Sequence, residues 1–170
     1  MGSFFFSGSA TAKLDDKSRF VIPQAMRFGL IEDGKLEFAV GLGLGGCLAI
    51  YKNSDMKKIV EKFQQKQFVA KFQKFFTLFF STLHFASCDK LGRVSLPKHL
   101  TEVIDIKKDI VVAGVINKVE IWPKEVYDAN MRNLLNPDSS ESGDLQEITE
   151  EAFGLLNEDE SNEDNDTLVN

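Results

Sequence analysis

Histidine, cysteine, proline and tryptophan are all scarce in this chain: two, two, four and one among 170 residues. His84 and His99 are the only imidazoles and Cys47 and Cys88 lie far apart, so no Cys/His spacing typical of a zinc site exists. Two thiols in a chain of this kind are expected to be reduced and buried rather than paired in a disulfide. Long apolar runs are missing too. Phe4-Phe5-Phe6 is broken at Ser7-Gly8-Ser9 before it could act as the apolar part of a signal peptide. The stretch from Phe75 to Leu83 falls short of the roughly 20 apolar residues that a membrane span needs. The expectations are therefore a cytoplasmic location, no membrane contact, and a core helix at Phe75 to Leu83. Also absent are a glycine-rich phosphate loop, a nucleophile elbow and a metal cluster, and Asp15, Asp16 and Asp89 have no histidine to work with. No enzyme, metal or cofactor is expected.

Charge of one sign is missing from the last fifth of the chain. From Asp138 onward there are 12 of the 26 acidic residues and not one Lys or Arg. The overall balance of -6 thus hides a basic body, since residues 1 to 137 carry all 20 basic groups against 14 acids, a balance of +6. A basic body with an acidic tail fits a nucleic-acid binder, and also a protein whose tail only keeps it soluble. The tail is poor in aromatics and rich in Ser, Asn, Asp and Glu. Disorder is expected over 136–170, with a weak helix allowed around Leu145 to Leu156.

What the chain does have is one pattern written twice. Leu14-Asp15-Asp16-Lys17-Ser18-Arg19-Phe20-Val21-Ile22-Pro23 returns 74 residues later as Cys88-Asp89-Lys90-Leu91-Gly92-Arg93-Val94-Ser95-Leu96-Pro97. Each copy runs apolar residue or Cys, Asp, three turn residues, Arg, a short apolar strand, Pro. The match continues through Glu37 to Gly41 against Ile110 to Gly114, and Leu48 to Lys52 against Val119 to Pro123. The chain is thus a tandem duplication of a small β-rich unit.

Read along the chain, the first unit is a strand near Ser9 to Leu14, a turn at Asp15 to Ser18 and a return strand from Arg19 to Ile22. A helix opened by Pro23 follows, and then a hairpin of Leu36 to Gly41 with Cys47 to Tyr51. The second unit repeats the plan with strands near Leu83 to Cys88 and Arg93 to Leu96, a helix from Pro97 to about Ile104, and a hairpin of Ile110 to Ala113 with Lys118 to Trp122. Neither unit can close a core alone, so the copies are expected to interleave their hairpins around a pseudo-twofold axis. Asn53-Ser54-Asp55 offers capping residues for a linking helix, and Phe72, Phe75, Phe76, Phe79 and Phe80 form a helical stripe suited to core or subunit packing. The boundaries predicted are 5–52 for the first repeat, 53–82 for linking helices, 83–135 for the second repeat with a closing helix, and 136–170 for the tail.

The chemistry sits in the Asp-x-x-x-Arg turns. Gly92 suits a turn position of positive φ, whereas Ser18 in the matching place loses about 1 kcal/mol there. Two readings stay open from local chemistry. Either Asp15 and Asp89 only brace their turns by pairing with Arg19 and Arg93, or Lys17, Arg19, Lys90 and Arg93, with Lys13 nearby, form a basic surface for phosphates and base edges.

The doubled turn, the Phe6-Ser7-Gly8 entry, the Leu14-Asp15-x-Lys17-x-Arg19 stretch and the Glu120-Ile121-Trp122 close resemble the MraZ family over about residues 5–132. The resemblance implies an α+β fold of two AbrB-like swapped-hairpin, double-split β-barrel repeats that share one pseudo-twofold core. It implies a bacterial transcriptional regulator of the division and cell-wall gene cluster, nucleoid-associated and bound to short G-containing promoter direct repeats in double-stranded DNA. It further implies ring-like homo-oligomers of about eight or more subunits. Carried over by position, Lys17, Ser18 and Arg19 are the main DNA contacts, and Lys90, Gly92 and Arg93 form a second surface. The family glycine is Ser18 here, and Leu91 stands where the first copy has Lys17, which favours the first copy for base reading. The rival reading is an antitoxin-like protein-interaction module that uses the same fold and the tail's Phe153-x-Leu155-Leu156.

Overall fold

The computed structural model describes residues 4–158. It contains β1 (Ser9–Lys13), β2 (Arg19–Val21), α1 (Gln24–Gly29), β3 (Glu37–Leu42) and β4 (Leu48–Lys52), then α2 (Asn53–Gln64) and α3 (Gln73–Thr82). The second copy follows as β5 (His84–Ser87), β6 (Arg93–Ser95), α4 (Lys98–Val103), β7 (Asp109–Val115) and β8 (Lys118–Pro123), and the chain continues through α5 (Lys124–Leu135) and α6 (Ser140–Gly154). Pro23 and Pro97 stand immediately before α1 and α4, where the fixed φ of proline suits helix entry and its missing N–H leaves no bond unmade.

Strand pairing shows why two weak units hold together. The six-stranded antiparallel sheet runs β1-β7-β8-β4-β3-β5, and β2 pairs with β6 in a separate two-stranded ribbon. Exchanging each strand for its repeat partner turns the sheet order into its own reverse, so the topology has a pseudo-twofold relation at the β4–β8 pair. The first strand of each copy bonds the hairpin of the other: Thr11 faces Val111 across β1–β7, and Phe38 faces Ala86 across β3–β5. The protein is mixed α+β with an antiparallel sheet, and its β1 and β5 edges are open among the described residues.

Burial follows the pleat. In the ribbon Phe20 and Val94 face inward, together with Ile22 and Leu96 just beyond, while Arg19, Val21, Arg93 and Ser95 take the other face. These inward residues join Leu30, Phe38, Val40, Leu48, Ile50, Leu100, Ile110, Val112, Val119 and Ile121 in one core drawn from both copies. A smaller cluster of Ala39, Met56 and Phe79 lies on the opposite side of β3, against α2 and α3. Gly41 permits that approach, because a Cβ there would sit 3.2 Å from a Leu83 methyl and 3.4 Å from the Phe79 ring.

Several expectations need correction. The Phe75 to Leu83 segment is not a core helix: in α3 only Phe79 and Thr82 are buried, whereas Phe75, Leu78 and Phe80 are each more than 40% exposed. Phe72 precedes α3 in a single 3₁₀ turn, so the first ring of the expected helical stripe lies outside that helix. Asn53, Ser54 and Asp55 do not cap α2 with their own side chains. Instead Glu32 reaches in from the loop between α1 and β3, accepting the Ser54 N–H at 3.1 Å and the Ser54 hydroxyl. Its carboxylate sits where the helix dipole favours negative charge.

The chain divides into two compact units, Met1–Tyr127 and Asp128–Asn170. In the second, the expected disorder from residue 136 gives way to α6, longer than the weak helix anticipated at Leu145 to Leu156. Ser139 starts it by accepting the Glu141 N–H at 3.2 Å. Residues 159–170, the rest of the tail expected to be disordered, lie outside the described residues.

Candidate functional site

The two Asp-x-x-x-Arg turns are near copies of each other. Asp15 Oδ1 accepts the backbone N–H groups of Lys17 and Arg19, both at 2.9 Å, and Oδ2 accepts Arg19 Nε at 2.8 Å. Asp89 does the same with Leu91 and Arg93, both at 2.9 Å, and with Arg93 Nε at 2.6 Å. A short aspartate is required because only its carboxylate can reach two N–H groups of its own turn and still meet a guanidinium. The N–H of Arg19 does most to hold the Asp15 carboxyl below the usual carboxylate range, and its guanidinium adds to this. The N–H of Arg93 leads in the same way for Asp89.

Bracing and binding are therefore compatible in one residue. The aspartate engages only Nε, and the terminal nitrogens of Arg19 and Arg93 make no hydrogen bond or ion pair among the described residues. Each arginine is clamped at its neck and keeps its fork of donors.

The ribbon then sets the spacing. Arg19 pairs with Ser95 and Val21 with Arg93, so the arginines stand on one face, displaced by two residues, or about 7 Å, along the strands. The turns leave opposite ends of the ribbon, tied by Leu96 N–H to Ser18 O at 2.9 Å and Ile22 N–H to Gly92 O at 3.2 Å. Lys17 and Lys90 are exposed at the two turns. Lys13 is 74% exposed in its side chain at the end of β1 and only loosely paired with Asp109, at 3.9 Å. All the residues singled out from the sequence are thus found on these turns or, for Lys13, at the strand end before the first.

Both turns do require positive φ: 55° at Ser18 and 77° at Gly92. Sequence reasoning missed Arg27. From α1 its guanidinium lies over the second turn, where a Cβ on Gly92 would come within 2.3 Å of it, and it donates to Ile22 O at 3.3 Å. Its Nε is buried without a hydrogen bond. The matching position of the other copy is Thr101, whose hydroxyl turns back to Lys98 O at 2.9 Å. That break in the repeat was the available signal. The second turn consequently has Arg27 beside Lys90 and Arg93 but shows Leu91, 67% exposed, where the first shows Lys17.

Comparison with known proteins agrees with this doubled architecture. The family model described as "MraZ protein, putative antitoxin-like" matches twice in succession, over residues 5–79 and 79–148. The chain belongs to the MraZ family. Proteins named transcriptional regulator MraZ from Natranaerobius thermophilus and from Desulforamulus reducens are each 35% identical to it over 124 residues, which is 72% of this chain and 84% of theirs. The MraZ matches end before the last stretch of acidic residues. No group of three or more His, Cys, Asp or Glu side chains suited to a metal ion occurs among the described residues, and none of their helices is long and apolar enough to cross a membrane.

Proposed function

We infer that the chain is a sequence-specific, double-stranded-DNA-binding regulator of transcription that reads promoter direct repeats with the exposed face of the β2–β6 ribbon. One observation carries the reading: two clamped arginines share that face, each with terminal donors that no partner among the described residues takes up. A guanidinium held this way can meet guanine O6 and N7 together, while Lys13, Lys17 and Lys90 neutralise phosphates. Val21, 50% exposed between the arginines, offers an apolar surface to a thymine methyl. The first turn is the principal reader, because Lys17 stands beside Arg19 there and Leu91 replaces that cation in the second.

The strand exchange between copies supports an AbrB-like swapped-hairpin classification. By the family resemblance, the target is the division and cell-wall gene cluster, read from a nucleoid-associated cytoplasmic pool. One small ribbon makes too few contacts for tight binding, so several copies on successive DNA repeats, linked in a ring-like homo-oligomer, raise affinity through effective concentration. Footprinting upstream of the protein's own gene at stated salt tests the reading. Protection at evenly spaced repeats that disappears in Arg19→Ala supports it, and no protection at any salt overturns it.

The antitoxin-like reading keeps one specific support: Phe153, Leu155 and Leu156, at and just beyond the end of α6, are 67%, 57% and 69% exposed. A pull-down with residues 138–170 that captures a defined protein partner through these three side chains would favour it.

A further inference from the structure

A cleft of about 430 Å³ lies between the α2–α3 pair and the β3–β4 hairpin, away from the arginine ribbon. Its apolar wall is built of rings: Phe63 packs edge-on against Phe75, with centroids 5.7 Å apart, and against Phe79 at 5.4 Å. Its polar end holds Tyr51 and Lys118, and Lys62 stands at the exposed rim. A cavity of this size with an aromatic wall and a few convergent polar groups has the make-up of a small-molecule site.

The charge arrangement narrows the ligand. Lys118 is only 18% exposed in its side chain and donates to Glu120 at 3.2 Å, leaving two of its three N–H bonds for another acceptor. Glu120 is already engaged at both oxygens, by Trp122 Nε1 at 3.3 Å on one and by Lys118 and the Cys47 thiol, at 3.7 Å, on the other. Asp55, the other carboxylate acting on Tyr51, is paired with Lys58 at 3.7 Å. With these acids engaged, Lys62 leaves the cleft a net positive charge. The Tyr51 hydroxyl, which makes no hydrogen bond among the described residues, adds a donor.

We propose that this cleft binds a medium-chain fatty acid, its carboxylate held by Lys118, Tyr51 and Lys62 and its chain laid along Phe63, Phe75 and Phe79. A chain of about eight to twelve carbons suits the volume. A cationic ligand would be repelled by the half-buried ammonium of Lys118, a neutral one would gain no charge-assisted bond from it, and a bulky polar one would strip water from its own groups against phenyl rings.

Trp122 is the only tryptophan, and its bond to Glu120 links its fluorescence to the head-group site. The intact chain is titrated with decanoate and, separately, with decanol. Decanoate is expected to give a saturable change, with decanol weaker by about tenfold or more for want of a charge-assisted bond. Lys118→Met should abolish that preference. Because that substitution also frees Glu120, Lys62→Gln at the exposed rim is the second variant, expected to weaken decanoate about threefold and leave decanol unchanged. Absence of a saturable decanoate signal, or equal affinity for acid and alcohol, overturns the proposal. Binding that appears only when dilution dissociates a multimer also overturns it, since a second copy then covers the cleft.

Discussion

Gly92→Ala is the sharpest perturbation of the paired turns. At φ 77° an alanine suffers the left-handed penalty, about 1–2 kcal/mol. The new Cβ would also meet the Arg27 guanidinium at 2.3 Å, and that flexible tip will swing away rather than compress. Its bond to Ile22 O is then lost, about 0.5–1.5 kcal/mol net, for a total of about 1.5–3.5 kcal/mol. In a chain of this length such a loss lowers Tm by about 5–10 °C. In an Arg27→Ala background only the backbone penalty remains, so the loss should fall to about 1–2 kcal/mol. Ser18→Gly runs the opposite way: relief of the strained φ is offset by greater freedom of the unfolded chain, leaving a change within about 0.5 kcal/mol of zero. Urea melts of the four variants, each checked for an unchanged m-value, measure these differences. A Gly92→Ala loss below about 0.5 kcal/mol, or the same loss in both backgrounds, refutes the account of the second turn.

For operator DNA, Arg19→Ala should cost about 1–3 kcal/mol and Arg93→Ala less; equal and negligible effects in folded variants would leave the arginines as turn braces only. Asp15 and Asp89 titrate below their ordinary value of 3.8, so their contribution to stability is present at neutral pH and lost as pH falls through about 4 and lower. The Asp15→Asn/Asp89→Asn variant should therefore show a flatter acid limb, and an unchanged limb contradicts this. Burial beneath the sheet, with Glu120 nearby, pushes the Cys47 thiol up to about 12, so a thiol reagent at pH 8 should label it far more slowly in the native than in the urea-unfolded chain. Deleting residues 138–170 turns the balance from -6 to +6 and should tighten binding to random DNA, most at low salt; coincident titrations of the two chains from low to physiological salt would show the tail electrostatically irrelevant.

Much of this architecture was legible because the chain states it twice. The copies of the Asp-x-x-x-Arg run gave strands, turns and helix starts at nearly the observed positions, and the need of each half for more core agrees with one antiparallel sheet drawn from both copies. Arg27 was illegible because its role comes from the direction in which α1 packs, which no local pattern encodes. The Glu32 cap on α2 was hidden for a similar reason, since it acts across 22 residues of sequence while local capping rules look only a few residues away. For the phenylalanines, periodicity revealed an apolar face but not what covers it, and Phe75 and Phe80 remain over 40% exposed. The tail misled through composition: its acids suggested disorder, yet a serine cap and an acidic first turn suit a helix start.

The reversed strand order has a consequence for the chain's length. If the copies were cut apart near residue 79, each fragment would carry edge strands whose partners sit on the other piece, and neither could complete a sheet alone. The intact protein is in effect a dimer whose halves are joined end to end. The linking helices keep each half at high local concentration next to its mate, so folding of the body is a first-order event insensitive to dilution. Two separately made halves should fold only together, with a melting temperature that climbs with their concentration. The tether also frees the halves from being identical, which is how one turn can carry Lys17 and the other Arg27 without breaking the frame they share.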